Sequence, residues 1–271
     1  MIKIAITTDH HYRTLYLSGG TILSRYRGQT ELEFYVTRLK AIKEKLGMWI
    51  PATIQICAYD DNGWRILHDT GVGSIQPNIE VWEKRLFEWI CPGKDKFIGY
   101  EEWIERTLRA VDFWGPGRVN PNFVLGVEMA KPHGFNHVST ALKSTTSGWD
   151  FLMKHGVLPR FNLWTREAGS AFTEENQPAP PLEYLIEAQK AYTELRWKYG
   201  FDPPFGGIQG PHSYNLNCLY DFEYYEGDGI TSKKALNAML GAKPHEADSY
   251  GYDEDGYTQI ALKGRKGISG N

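Results

Sequence analysis

Gly73-Ser74-Ile75-Gln76-Pro77-Asn78-Ile79-Glu80-Val81 runs straight into Trp82-Glu83-Lys84-Arg85-Leu86-Phe87-Glu88-Trp89-Ile90, and this junction decides the fold. The first stretch reads as a short strand and the second as a helix. The same strand-then-helix unit recurs on both sides of it. Upstream, Thr14–Leu17 is a β-forming run that ends in Ser18-Gly19-Gly20-Thr21. Glu31–Leu46 then carries apolar residues at helical spacing (Leu32, Tyr35, Val36, Leu39, Ile42, Leu46), with Gly47 as a stop signal. Thr53–Ala58 reads as a buried strand and Gly63–Gly71 as a short helix. Downstream, Glu101–Trp114 is helical, Phe123–Met129 a strand, Val138–His155 a helix ended by Gly156, and Val157–Trp164 a strand. Pro181–Tyr199 is a helix with Leu182, Leu185, Ile186, Ala188, Tyr192 and Leu195 on one stripe, stopped by Gly200. Ile2–Thr7 is a further short apolar run.

This alternation predicts an α/β fold: parallel strands joined by crossover helices, forming a partial (β/α) barrel over residues 1–200. After Pro203 the pattern weakens and Gly, Pro and Asp become frequent. Residues 201–271 are therefore expected to be an irregular C-terminal extension, frayed at Lys263–Asn271. The chain contains no internal repeat and no low-complexity tract.

Composition narrows the class. The chain has 271 residues, 41% hydrophobic and 23% charged, as a globular domain does. A net charge of -3 lacks the basic surplus of a nucleic-acid binder. Aromatics reach 14%, enough to fill a large core or to line a cavity. No apolar run is long enough to span a bilayer, and Met1–Thr8 is too short for a secretory signal. A cytoplasmic protein without a membrane or nucleic-acid partner is expected. Cys57, Cys91 and Cys218 are odd in number and far apart, which argues against disulfides and against a cluster or zinc loop within one segment.

Barrels of this kind place chemistry at the C-terminal ends of their strands. Ser18-Gly19-Gly20-Thr21 allows a tight turn and close backbone approach to a ligand, or is a plain strand-to-helix loop. Asn78 and Glu80 lie two apart, so a regular strand would point both the same way, into the mouth. The alternative for Glu80 is a cap on the helix that follows. Glu128 interrupts an apolar run (Gly126-Val127-Glu128), and the cost of an unpaired buried charge favours the mouth for it. Asn162, Trp164, Thr165, Arg166, Glu167, Gly169 and Ser170 surround the last strand end. Cys91-Pro92-Gly93-Lys94 reads as a loop. In Asp9-His10-His11 only Asp9 and His11 could share a metal.

These motifs resemble the radical S-adenosylmethionine (SAM) superfamily, and its biotin/lipoyl synthase branch in particular. Ser18-Gly19-Gly20-Thr21 is similar to the family's Gly-Gly motif, whose backbone binds the amino group of SAM. Asn78-Ile79-Glu80 is similar to the branch's strand-end Asn-(apolar)-(Asp/Glu), which contacts SAM. Gly126-Val127-Glu128 resembles the fifth-strand motif. Phe161–Trp164 followed by Gly169-Ser170 resembles the sixth. The likeness covers roughly Thr14 to Tyr199. It implies SAM and a 4Fe-4S cluster as cofactors. It also implies a 5′-deoxyadenosyl radical for C–H activation of a small molecule, with sulfur or carbon transfer as a further step. Gly19, Gly20, Thr21, Asn78, Glu80, Gly169 and Ser170 would contact the cofactor. Glu128 and Arg166 would be catalytic, and Trp164 would form cavity wall.

One departure is large, because the family's Cys-x-x-x-Cys-x-x-Cys occurs nowhere in this sequence. A shortened chain, a split enzyme whose partner chain supplies the first strand, and a barrel that binds without radical chemistry would each account for this. Cys91 and Cys218 would then be free to touch substrate or an auxiliary cluster. Two rival readings stand beside the first. One is a (β/α) barrel hydrolase using Glu80 and Glu128 as an acid/base pair. The other is a non-catalytic partner subunit, or a homo-oligomer, that completes the barrel across an uncovered strand edge.

Overall fold

Strands β1 (Leu15–Leu17), β2 (Ala52–Gln55) and β3 (Ser74–Gln76) pair in parallel in that order, and β4 (Asn122–Leu125) pairs in parallel with β5 (Arg160–Leu163). The structure is a computed structural model that describes residues 15–19, 22, 25–46, 52–164 and 177–201, all within the unit Thr14–Phe201. The run Ile2–Thr7, the helix stop at Gly47 and the extension from 202 onward lie outside the described residues.

Parallel bridges Ile75↔Val119 and Glu80↔Phe123 join the two sheets, so the five strands follow one another in chain order. Ile75 to Glu80 spans one residue more than Val119 to Phe123, which makes the segment before Glu80 a bulge. Its signs are consistent. Ile79 N and Glu80 N both donate to the Asn122 carbonyl (3.1 and 2.9 Å), Pro77 has no N–H to give, and Glu80 sits at φ 69°. The strand expected over 73–81 is thus a short ladder followed by this bulge. Five parallel strands with their crossover helices bear out the α/β expectation; a closed barrel is not formed among the described residues.

The intervening helices are α1 (Glu31–Leu46), α2 (Asp61–His68), α3 (Lys84–Ile90), α4 (Pro92–Phe97), α5 (Tyr100–Arg109), α6 (Val111–Trp114), α7 (Val138–Lys154) and α8 (Leu182–Lys198). Local chemistry sets several starts. At α1, Thr30 N donates to Glu33 Oε2 (2.8 Å) and Glu33 N to Thr30 Oγ1 (3.3 Å), a reciprocal capping box. At α2, Asp60 accepts from Gly63 N (2.9 Å). The expected loop at 91–94 is instead the start of α4. Pro92 opens it, where a missing N–H has no consequence and φ is already helical.

Register sorts the side chains. Leu17, Ile54 and Ile75 align on one face, and Phe123 aligns with Phe161. Ile54, Ile75, Phe123 and Phe161 are fully buried in one core with Leu39, Trp64, Leu67 and Trp103 of the helices. Trp149 of α7 stacks on Phe161 (5.2 Å between centroids) and meets Phe123 edge-on (6.1 Å). The high aromatic content therefore fills the core. Each such ring removes roughly 200 Å² from water, about 5 kcal/mol at ~25 cal/mol per Å². Two buried indoles find backbone acceptors, Trp64 Nε1 donating to Arg106 O (2.9 Å) and Trp114 Nε1 to Val72 O (2.9 Å), whereas Trp149 Nε1 has no partner among the described residues.

The stripe expected on α8 holds at Ala188 and Tyr192, which are buried, and at Leu185 and Leu195, which pack on the core; it is corrected at Leu182 (67% exposed) and Ile186 (38%), with Tyr184 buried instead. The tyrosines select the face because each hydroxyl finds a buried partner. Tyr184 OH pairs with Thr145 Oγ1 (2.9 Å), and Tyr192 OH donates to Pro159 O (2.7 Å).

Candidate functional site

The wall's other face is polar. Tyr16, Thr53 and Ser74 align across β1–β3, as do Gln55 and Gln76. They bond to one another: Tyr16 OH to Gln76 Oε1 (2.6 Å), Gln55 Nε2 to Gln76 Oε1 (3.4 Å), and Thr53 Oγ1 with Ser74 Oγ (2.6 Å). Ser18, just past β1, donates to Gln55 Oε1 (2.5 Å). On β4 and β5, Asn122 and Val124 align with Arg160 and Asn162, opposite the phenylalanines. A parallel sheet covered on both faces by helices is apolar on both. Rows of amides and hydroxyls on one face instead mark a surface that meets a polar ligand. Burial pushes the Tyr16 hydroxyl up to about 12, with Arg160 pulling it down and Glu80 pushing it further up. Charges on β5 and on the bulge thus both act on Tyr16 of β1.

The bulge carries Glu80 past the end of β3. Lys94 of α4 donates to Glu80 Oε1 (2.7 Å) and to the Asn78 carbonyl (2.8 Å). Both side chains are mostly buried, Lys94 at 15% and Glu80 at 20% exposure. Lys94 Nζ lies 5.1 Å from the Trp103 ring centroid, and Trp103 Nε1 donates to Pro77 O (3.2 Å). Burial alone would lower the lysine's proton affinity. The Glu80 charge, the nearby Cys91 and the hydrogen bond to Glu80 together outweigh it, so the ammonium is held above its ordinary range. The expectation that Asn78 and Glu80 project together is corrected, because the extra residue re-aims Glu80. Asn78 Oδ1 accepts from Asn122 N (3.1 Å) and braces β4.

Ser18 and Gly19 lie exposed at the end of β1; Gly20 and Thr21 lie outside the described residues. A Cβ on Gly19 would come within 2.9 Å of Tyr35 OH. Beneath the loop, Glu31 is buried and accepts from Cys57 N (3.0 Å), Tyr59 OH (2.6 Å) and Ile22 N (3.2 Å). This carboxylate ties the loop after β1 to the end of β2. Burial, then the Glu31 charge, pushes the Tyr35 and Tyr59 hydroxyls up. The pairing of Lys94 with Glu80 and the role of Glu31 both escaped the sequence reading. Thr30-x-x-Glu33 could have flagged the start of α1 and hence Glu31, whereas Lys94 had no signal beyond Pro92 as a helix opener.

Glu128 is not at the mouth. After β4 the chain turns at Gly126 (φ 105°) into a 3-10 turn over Val127–Met129. Glu128 is then fully buried. Its Oε2 accepts from Gly126 N (2.9 Å) and its Oε1 from Thr145 Oγ1 of α7 (2.7 Å). Burial pushes its carboxyl up, against the pull of those hydrogen bonds and of Tyr184. The argument that a charge must face the mouth fails because this carboxyl is both hydrogen-bonded and able to hold its proton.

Trp164 ends β5 half-buried, its N–H donating to Leu125 O (2.9 Å). Arg166, Gly169, Ser170, Thr165 and Glu167 lie outside the described residues, as do Asp9, His11 and Cys218. A 4Fe-4S cluster needs three thiolates presented together. Among the described residues no group of three His, Cys, Asp or Glu side chains is placed to hold a metal. Burial pushes the Cys91 thiol up to about 11, so it stays protonated at neutral pH. These residues do not fit the cluster. They do fit SAM, whose hydroxyls, amine and carboxylate call for a carboxylate, amides and open backbone, all present in Glu80, the inward amides and Ser18-Gly19.

No family model matches the chain. The bacteriochlorophyllide c C-7(1)-hydroxylase of Chlorobaculum limnaeum is 25% identical over 216 residues, covering 77% of this chain and 50% of that protein. The chain thus spans about half the length of this curated relative. The crystal structure of HydG, a maturase of the FeFe-hydrogenase, is similar in fold, with a TM-score of 0.52 at 11% identity. That likeness covers 76% of this chain and 45% of that one. The likeness to HydG is one of fold, the likeness to the hydroxylase is one of sequence over half of that protein, and neither supports the biotin/lipoyl synthase branch in particular. No helix among the described residues is long and apolar enough to cross a membrane.

Proposed function

We propose that this chain is the SAM-holding portion of a radical SAM-type enzyme acting on a small molecule with an unactivated C–H bond. In this reading Glu80, the Ser18-Gly19-Gly20-Thr21 motif and Gly169-Ser170 are assigned to the cofactor, and Arg166 and Trp164 to the substrate. The observation that carries this reading is the bulge that sets Glu80 at the edge of a polar wall, at a strand's C-terminal end. SAM supplies the hydrogen-abstracting group in such enzymes, and the cluster this requires must be held by residues other than those described. The relative's activity, a hydroxylation, replaces a C–H bond and suits the same reaction class. Sulfur or carbon transfer remains a proposal of equal kind, as does a partner chain or second copy completing the barrel. Glu80→Ala should lower SAM affinity about tenfold, on the order of one charge-assisted hydrogen bond. Unchanged affinity in equilibrium dialysis sinks the reading.

The hydrolase reading finds no support in the geometry. Its acid/base pair must flank one bond in an open cleft, and the Glu128 carboxyl has no exposure at all.

A further inference from the structure

We propose that Lys94 is a positioning residue for the ligand that Glu80 receives, an inference that rests on the SAM-holding reading above. Glu80 stands on a bulge, at a φ of 69° that a non-glycine side chain adopts with strain. Something must hold it there. Lys94 is the group that touches both ends of the problem: it bonds the Glu80 carboxylate at 2.7 Å and the Asn78 carbonyl at 2.8 Å. One ammonium therefore fixes the side chain and the backbone that aims it.

The fold delivers Lys94 with little freedom. Pro92 opens α4, Asp95 N donates to Cys91 O (3.0 Å), and Lys94 falls in the first turn. Trp103 covers the ammonium and is itself anchored to Pro77 inside the bulge. In such a mostly buried setting a charge-assisted bond is short and directional. Its electrostatic effect follows from the pairing. A lone glutamate offers a ligand a full negative charge and attracts any cation. Paired with Lys94, it offers a fixed acceptor with the net charge cancelled, which favours a ligand's hydroxyl and amine donors by geometry.

The test is a double-mutant cycle read by the dissociation constant for SAM, with melting temperature followed in parallel. Lys94→Met should weaken SAM about tenfold, while Lys94→Arg, which keeps the charge, stays within about threefold. In a Glu80→Gln background Lys94→Met should add less than about twofold, because the residue it positions no longer carries the contact. Equal Lys94→Met effects in both backgrounds, or a Lys94→Met protein that binds SAM as the wild type does, overturn the proposal and leave the reading of Glu80 standing. An inert Glu80→Gln overturns both. If Lys94→Met does not fold, Lys94→Gln and Lys94→Arg carry the same cycle.

Discussion

Glu80 and Glu128 occupy equivalent places in the sequence, each near the end of an apolar strand, and the fold gives them opposite environments. Glu80 rises on a bulge beside a polar wall and is gripped by a lysine from outside the sheet. Glu128 turns inward at Gly126 and joins α7 and α8 through Thr145 and Tyr184. One extra backbone residue decides the first and one left-handed glycine decides the second. A carboxylate at a strand end is thus a site only if the backbone beyond the strand keeps it at the surface of the wall.

The comparison predicts opposite responses to mutation. Glu128→Ala should be the most destabilising, by about 3 kcal/mol, since it leaves Gly126 N and Thr145 without their buried acceptor; chemical denaturation measures it, and a loss under about 1 kcal/mol would mean the network is not structural. Gly148→Ala follows, at about 2 kcal/mol, because the new methyl would run into the Trp82 ring that packs directly on this turn of α7. Glu128 should also leave a pH signature. Its carboxyl binds its proton more tightly in the folded chain than the ordinary value of 4.5. Its contribution is therefore fully present below that pH and is lost as pH rises through the folded value. Glu128→Gln should flatten the fall in stability above about pH 4.5, and an unchanged slope would place the titration elsewhere. Smallest is Asp61→Asn, which removes a surface ion pair to Arg109 and should leave the denaturation midpoint essentially where it is, since water screens an exposed pair.

How far the sequence could be read follows from the same contrast. Helix α1 falls where its period puts it, and the parallel pairing of the strands is the one their alternation with helices leads to. Periodicity is local, and it survived folding wherever one face simply met the core. On α8 it held at Ala188 and Tyr192 but failed at Leu182 and Ile186, where Tyr184, its hydroxyl paired with Thr145 of another helix, took the buried place instead. It also failed at 78–80 and at 126–128, because a bulge and a left-handed turn break the period-two rule on which facing arguments depend. Lys94 could not be found from spacing, since its partner is 14 residues away across a helix-to-strand contact. The Gly19 turn was legible as a motif, while the carboxylate that anchors it, Glu31, was hidden inside an ordinary helix start.

The most direct test of the central claim sets the two glutamates side by side. SAM is titrated by equilibrium dialysis into the wild type, Glu80→Gln and Glu128→Gln, each shown to be folded. The account predicts that Glu80→Gln loses affinity about tenfold while Glu128→Gln binds as the wild type does. Equal affinity in all three, or a loss confined to Glu128→Gln, would contradict it.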